Sequence, residues 1–216
     1  MKFCLFCLAL GFAPAFGESL GAHIAPITLY TSFQQPPASA VVDAVREELD
    51  QIMGPIGFHF TWRSLAAVRG NEVSVELAVI TFKGRCDISS LGVRSIQPGA
   101  LGWTHVSDGN ILPFSDVDCD RIRGFIQGAL QMISKEDREE AFGRAVGRVL
   151  AHELYHIFAN SQKHGSCGVT KESYTVQDLM SDEFGFTDSA SVALRAGKTH
   201  AALANATHAT QSSPSM

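Results

Sequence analysis

Apolar and polar residues alternate along Ile27-Thr-Leu-Tyr-Thr-Ser-Phe33, the pattern of a half-buried strand, and Pro36-Pro37 closes it. From Ser39 to Met53 the period changes. Val41, Val42, Val45, Leu49, Ile52 and Met53 recur at helical spacing with charges between them, until Gly54-Pro55 ends the run. Residues 57–65 and 73–82 are rich in aromatic and β-branched side chains and predict two more strands. The second is almost continuously apolar, which suits the middle of a sheet. Residues 99–106 and 111–114 flank Ser107-Asp-Gly-Asn110, a turn sequence joining two short strands. A helix then starts near Asp118 or Asp120 and carries Ile122, Phe125, Ile126 and Leu130. Ser134-Lys-Glu-Asp137 fits a capping box ahead of a long helix running to about Phe158. The order is α+β: a single domain that ends in a short irregular C-terminal part.

The long helix carries three lines of residues. Ala145, Val149, His152 and His156 form one, and Val146, Leu150 and Ile157 a neighbouring core-facing one. Gly143, Gly147 and Ala151 form the third. Each glycine costs about 1 kcal/mol of helix stability relative to alanine, so this line predicts a closely packed neighbour; the alternative is that a long helix simply tolerates them.

The ends differ from the middle. Lys2, an apolar run from Phe3 to Phe12 and Ala15-Phe16-Gly17 make residues 1–17 read as a signal peptide, and the mature chain as secreted or periplasmic. A lipoprotein is the weaker reading, since neither Cys4 nor Cys7 follows a small-residue cleavage box. The run is too short to span a bilayer, so no stable membrane insertion is expected of the mature form. Residues 187–216 are rich in Ala, Ser and Thr and predict a disordered tail, which includes His200, His208 and the formal glycosylation acceptor Asn205. Residues 18–186 remain as the domain. A net charge of −5 and a pI near 5.9 offer no basic footprint for nucleic acid. Three cysteines survive removal of the signal. Cys86–Cys119 is the favoured disulfide with Cys167 left free, and three buried thiols are the alternative.

Candidate chemistry lies in His152-Glu-Leu-Tyr-His156. On a helix, positions i and i+4 lie on one face, so two imidazoles can reach one zinc ion, with Glu153 beside it to shuttle protons. For this composition a chance HExxH has a probability of roughly one or two in a hundred. A catalytic zinc site needs a third protein ligand, and the nearest candidate is His164. To bring His164 back, the chain must leave the helix just after His156, and Asn160 suits a left-handed helix end. Further on, Thr175-Val-Gln-Asp-Leu-Met180 places a methionine at a turn.

Here the chain resembles the metzincins, zinc endopeptidases with the motif HExxHxxGxxH and a methionine-containing turn beneath the metal. His152, Glu153 and His156 match the motif, and Asp178-Leu179-Met180 looks like the Met-turn. Residues 99–105, with Leu101, Gly102, Trp103 and Thr104, are similar to the edge strand that pairs with extended substrate in the matrix-metalloprotease branch. The resemblance covers residues 27–186, though its specific motifs span only some forty of them, and it implies a metzincin-like α+β domain: a mixed, twisted sheet backed by helices, with a long active-site helix and a short irregular C-terminal subdomain. The chain also resembles small secreted bacterial proteins, which implies no substrate. Two departures stand out: Ala159 occupies the glycine position, and His164 comes eight residues after His156 rather than six. In a second arrangement, resembling the gluzincins, Glu172 or Glu183 completes the site.

These residues lead to the expectation of a secreted zinc endopeptidase with one catalytic Zn²⁺ on His152, His156 and His164. Glu153 would be the general base for metal-activated water, and a protein or peptide the substrate. The rival class is a non-catalytic module with structural zinc, closed by Cys167; the retained Glu153 argues against it. Gly84-Arg-Cys-Asp87 could suggest an inhibitory cysteine, but its place between strands favours a disulfide. His59 and His105 read as sheet or rim residues, and Tyr155 and Tyr174 as candidate oxyanion partners.

Overall fold

The computed structural model describes residues 27–70, 72–89, 91–92 and 99–197. The expected signal peptide and residues 198–216 lie outside them. Among the described residues five strands form one mixed sheet: β1 (Ile27–Phe33), β2 (Phe60–Ser64), β3 (Leu77–Lys83), β4 (Gly102–Ser107) and β5 (Asn110–Asp118). Their order is β2-β1-β3-β5-β4, so the apolar β3 is central, as its composition predicts. All neighbours run parallel except β4, which is antiparallel to β5 and forms an edge. Asp108 and Gly109 both take positive φ in the two-residue turn between them, the geometry that matches the right-handed twist of a hairpin.

Among the described residues five α-helices accompany the sheet: α1 (Ser39–Met53), α2 (Cys119–Met132), α3 (Arg138–Ala159), α4 (Val176–Met180) and α5 (Asp188–Ala196). Along β3, Ala78, Ile80 and Phe82 are buried while the alternate residues are half-exposed, so one sheet face makes the core with the helices. β5 runs directly into α2, where the Asp118 side chain caps the helix by accepting the Arg121 N–H at 3.0 Å. Cys86 and Cys119 are joined, tying the segment after β3 to the start of α2, and Cys167 is free and exposed. The buried Arg123 guanidinium donates to the carbonyls of Arg85 (2.6 Å) and Asp87 (2.9 Å), so the Gly84–Asp87 stretch is structural.

Several expectations need correction. β2 and β3 start at Phe60 and Leu77, later than residues 57 and 73, because Gly57 turns left-handed (φ 92°) and the pairing with β1 begins only at those positions. Ser134 and Asp137 do bond each other (Asp137 N–H to Ser134 Oγ, 3.2 Å), but as a turn preceding the helix, which starts at Arg138. The C-terminal part is less irregular than predicted, holding a 3₁₀ turn (Gly168–Thr170), α4 and α5. The tail expected from residue 187 is helical over Asp188–Ala196. Thr187 caps α5, and Ala190 and Leu194 are buried one turn apart against the core.

The glycine line of α3 meets α1. A Cβ on Gly143 would lie 2.5 Å from Ala44 Cβ and 2.7 Å from the Val41 carbonyl oxygen, and one on Gly147 would lie 3.0 Å from Glu48 Cβ. Gly143→Ala should therefore destabilise the protein by about 1–3 kcal/mol through overpacking, although alanine is the better helix former. Urea unfolding checks this; a rise in stability would mean that the two helices do not approach as described.

Candidate metal centre

α3 is buried along most of its length and delivers His152, Glu153 and His156 into the interior at its C-terminal end. The helix stops at Ala159 because Asn160 adopts the left-handed conformation (φ 48°, ψ 49°), the exit its identity predicts. The loop beyond brings His164 back. Nitrogens of His152, His156 and His164 lie within 4.8 Å of one another, and among the described residues this is the one group of three or more His, Cys, Asp or Glu side chains able to share an ion. Glu172, Glu183 and Cys167 are not members of it.

The hydrogen bonds around the imidazoles decide their protonation. His152 Nδ1 lies 2.7 Å from the Val169 carbonyl, and His156 Nδ1 lies 2.6 Å from the Ser161 carbonyl. A carbonyl oxygen only accepts, so each Nδ1 carries the proton and each Nε2 is a bare lone pair. The two Nε2 atoms stand 3.0 Å apart. With both protons committed elsewhere they cannot hydrogen-bond each other. Protonation is disfavoured too: burial holds His152 down to about 4, helped by the charges of His156 and His164 and opposed by the Val169 bond. Burial also lowers His156. Two buried, neutral lone pairs at this distance, with a third imidazole adjacent, fit a borderline-soft divalent cation such as zinc.

Glu153 lies 4% exposed on the β4 side of the helix. Burial pushes its carboxyl up to about 7, against the lowering effect of the Thr104 hydroxyl and backbone. Thr104 Oγ1 is 2.8 Å from Glu153 Oε2 and 2.8 Å from Ser115 Oγ. β4 approaches closely at Gly102, where a Cβ would fall 2.8 Å from Glu153 Oε1 and 2.9 Å from Val149 Cγ1. Thus Gly102 and Thr104 face Glu153, whereas Trp103 is 37% exposed. Leu101 precedes the strand, its carbonyl accepting the Asp118 N–H at 2.8 Å. His105, at a bulge in β4, bonds Asp116 at 2.8 Å, and His59 is exposed, so neither joins the centre.

The segment after the third histidine supports the first. Val169 is buried, and its carbonyl receives both His152 Nδ1–H and the Tyr174 hydroxyl. Burial raises the Tyr174 phenol far above its usual value, so it stays a neutral donor. Tyr155 is buried against His156 and Phe186. Met180 is the last residue of α4, half-buried against the core, so its segment is a short helix. That segment is anchored by Arg148, which lies one helical turn before His152 and is 1% exposed. Its guanidinium bonds Glu48 of α1 (2.6 Å) and the Asp178 carbonyl (2.9 Å) and lies over the Phe184 ring. Sequence reasoning assigned no role to Arg148, Glu48 or the Val169 carbonyl, and saw Thr104 only as edge strand. One signal was available: Glu48 sits among Val45, Leu49 and Ile52 on the core side of α1, where a charge demands a partner.

The chain matches no model of a known protein family and no curated protein. Among solved structures it is similar to archaemetzincin from Methanopyrus kandleri, with a TM-score of 0.45 and 14% identity, covering 82% of this chain and 97% of that one.

Asp178 closes a capping box on α4: its carboxylate accepts the Thr175 N–H (2.6 Å) and hydroxyl (2.7 Å) and pairs with Lys171 (2.6 Å). Burial would raise this carboxyl, but these partners outweigh it and hold it at about 2, below the ordinary 3.8. A carboxyl depressed by folding contributes stability above its unfolded value and loses it as pH falls through the folded one. In metal-free protein, Asp178→Asn should cost about 1 kcal/mol near neutral pH. That difference should shrink between about pH 4 and pH 2. Urea midpoints across this range test it; a difference independent of pH would mean that the carboxylate charge contributes nothing.

Proposed function

We propose that this chain is a secreted or periplasmic zinc endopeptidase of metzincin-like design. The observation that carries the reading is the pair of buried, proton-free Nε2 atoms 3.0 Å apart, with His164 adjacent and Glu153 next in the helix. His152, His156 and His164 would hold one zinc ion; three protein ligands leave a position open, as catalytic sites do. When bound, zinc supplies Lewis-acid polarisation of a scissile carbonyl and lowers the pKa of water toward about 7.

The protein's own groups do the rest. Glu153 takes a proton from the attacking water as the C–O bond forms, then gives it to the departing amine as the C–N bond breaks. A carboxyl raised toward neutrality suits both directions. The Thr104 hydroxyl, backed by Ser115, can donate to Glu153 when ionised and accept from it when protonated. β4 is an edge strand, so an extended peptide can add beside Gly102, Trp103 and Thr104 through main-chain hydrogen bonds. The Cys86–Cys119 disulfide supports an oxidising compartment. Among the described residues no helix is long and apolar enough to cross a membrane. A closed structural site draws no support, since Cys167 stands outside the histidine group.

Glu153→Gln should retain one zinc per chain and lose about 10²–10⁴-fold in peptide hydrolysis. Near-normal activity in that variant would remove Glu153 from the mechanism. His164→Ala should fold but lose zinc by metal analysis after dialysis, and unchanged stoichiometry would return the third position to a glutamate.

A further inference from the structure

Beside the candidate metal centre a cleft of about 230 Å³, open to solvent, runs between the start of β4 and residues 172–174. Its lining joins His152 and Glu153 with the apolar side chains of Leu101, Phe125 and Val149 and with the exposed Glu172. We propose, on the basis of the peptidase reading above, that this cleft selects peptides with a lysine or arginine next to the scissile bond. The aliphatic stem would lie on the apolar wall and the cation would meet Glu172.

Three observations point this way. Long cationic side chains are apolar along the stem and charged at the tip, and the cleft lining offers both apolar side chains (Leu101, Phe125, Val149) and an exposed carboxylate (Glu172). Glu172 makes no hydrogen bond or ion pair with the described residues, so its charge is not spent within the fold. The neighbouring cations are engaged elsewhere: Lys171 pairs with Asp178 at 2.6 Å, and Arg121 pairs with Asp118 at 3.1 Å and donates to the Ala100 carbonyl at 3.1 Å. Glu172 also stands outside the histidine group, which frees it from the alternative of holding the metal. The competing ligand for the same walls is a plain apolar side chain such as leucine, which would ignore Glu172.

The experiment uses zinc-loaded full-length protein and fluorogenic peptides identical except for Lys, Leu or Glu on either side of the cleaved bond. The wild type should favour the lysine peptide over the leucine one by about five-fold or more in kcat/KM, and less so at high salt. Glu172→Gln should bring the ratio of the two toward one, and Glu172→Lys should turn the preference toward the glutamate peptide. Zinc content should be unchanged in both variants. A general folding defect would lower all peptides together and leave the ratios alone, so the ratio reports the contact itself. Cleavage without charge preference, or a lysine preference that survives Glu172→Lys, overturns the proposal and leaves the peptidase reading standing. Loss of zinc in Glu172→Gln also overturns it, by making Glu172 a ligand. Absence of cleavage of any peptide by zinc-loaded wild type overturns the peptidase reading and this proposal together.

Discussion

Two backbone carbonyls, those of Val169 and Ser161, determine what the centre of this molecule can be. Each takes the Nδ1 proton of a buried histidine and turns the other ring nitrogen into a lone pair facing its counterpart. An imidazole in water can change tautomer freely; here the exchange would give up an Nδ1–H bond to a carbonyl and set a ring lone pair against that oxygen. The arrangement is therefore committed before any ligand arrives. Both carbonyls belong to the chain that follows α3, so the shape of that segment, and not the helix alone, creates the donor set.

α3 is the element on which the other constraints converge. Its glycine line lets α1 approach to backbone contact, and Gly102 lets β4 approach the opposite side at Glu153. Arg148 joins α1 to the C-terminal segment through Glu48 and the Asp178 carbonyl. A buried ion pair is a poor source of net stability, because desolvation consumes much of the Coulombic gain. Its geometry is restrictive, however: removing either partner strands a charge in the core, a cost of about 3–5 kcal/mol. Arg148 therefore acts best as a register device, fixing the C-terminal segment that also carries Tyr174 toward His152.

What could be read from the chain follows the range of the interactions. α1 was legible to the residue because an amphipathic stripe and Gly54-Pro55 are local signals. The strands were legible in number and kind, but β2 and β3 start where β1 offers a partner, and that is a non-local fact. His152, Glu153 and His156 are a local spacing; His164 needed one further local signal, the left-handed Asn160. The partners of these groups are distant in sequence, with Thr104 separated from Glu153 by 49 residues, Val169 from His152 by 17 and Arg148 from Glu48 by 100. α5 was missed because composition measures apolar content on average, whereas Ala190 and Leu194, properly spaced and docked, are enough for a short helix.

The position of the histidines along α3 adds an electrostatic argument for a cation. The last carbonyls of a helix carry the negative end of its macrodipole, equivalent to roughly half an elementary charge, and its influence is confined to the last turn. His156 lies in that turn, and His152 one turn before it. The imidazoles themselves are held neutral by burial, so they do not neutralise this field. Glu153, when ionised, adds a full negative charge on the neighbouring face. Two neutral nitrogen donors in the last turns of a helix, with a carboxylate next in the chain, favour a cation over an anion. Glu153 would respond to such an ion in turn, since a positive charge nearby favours its ionised form and opposes the effect of burial. Ionisation of Glu153 and binding of a cation at the histidines would thus be coupled, each favouring the other.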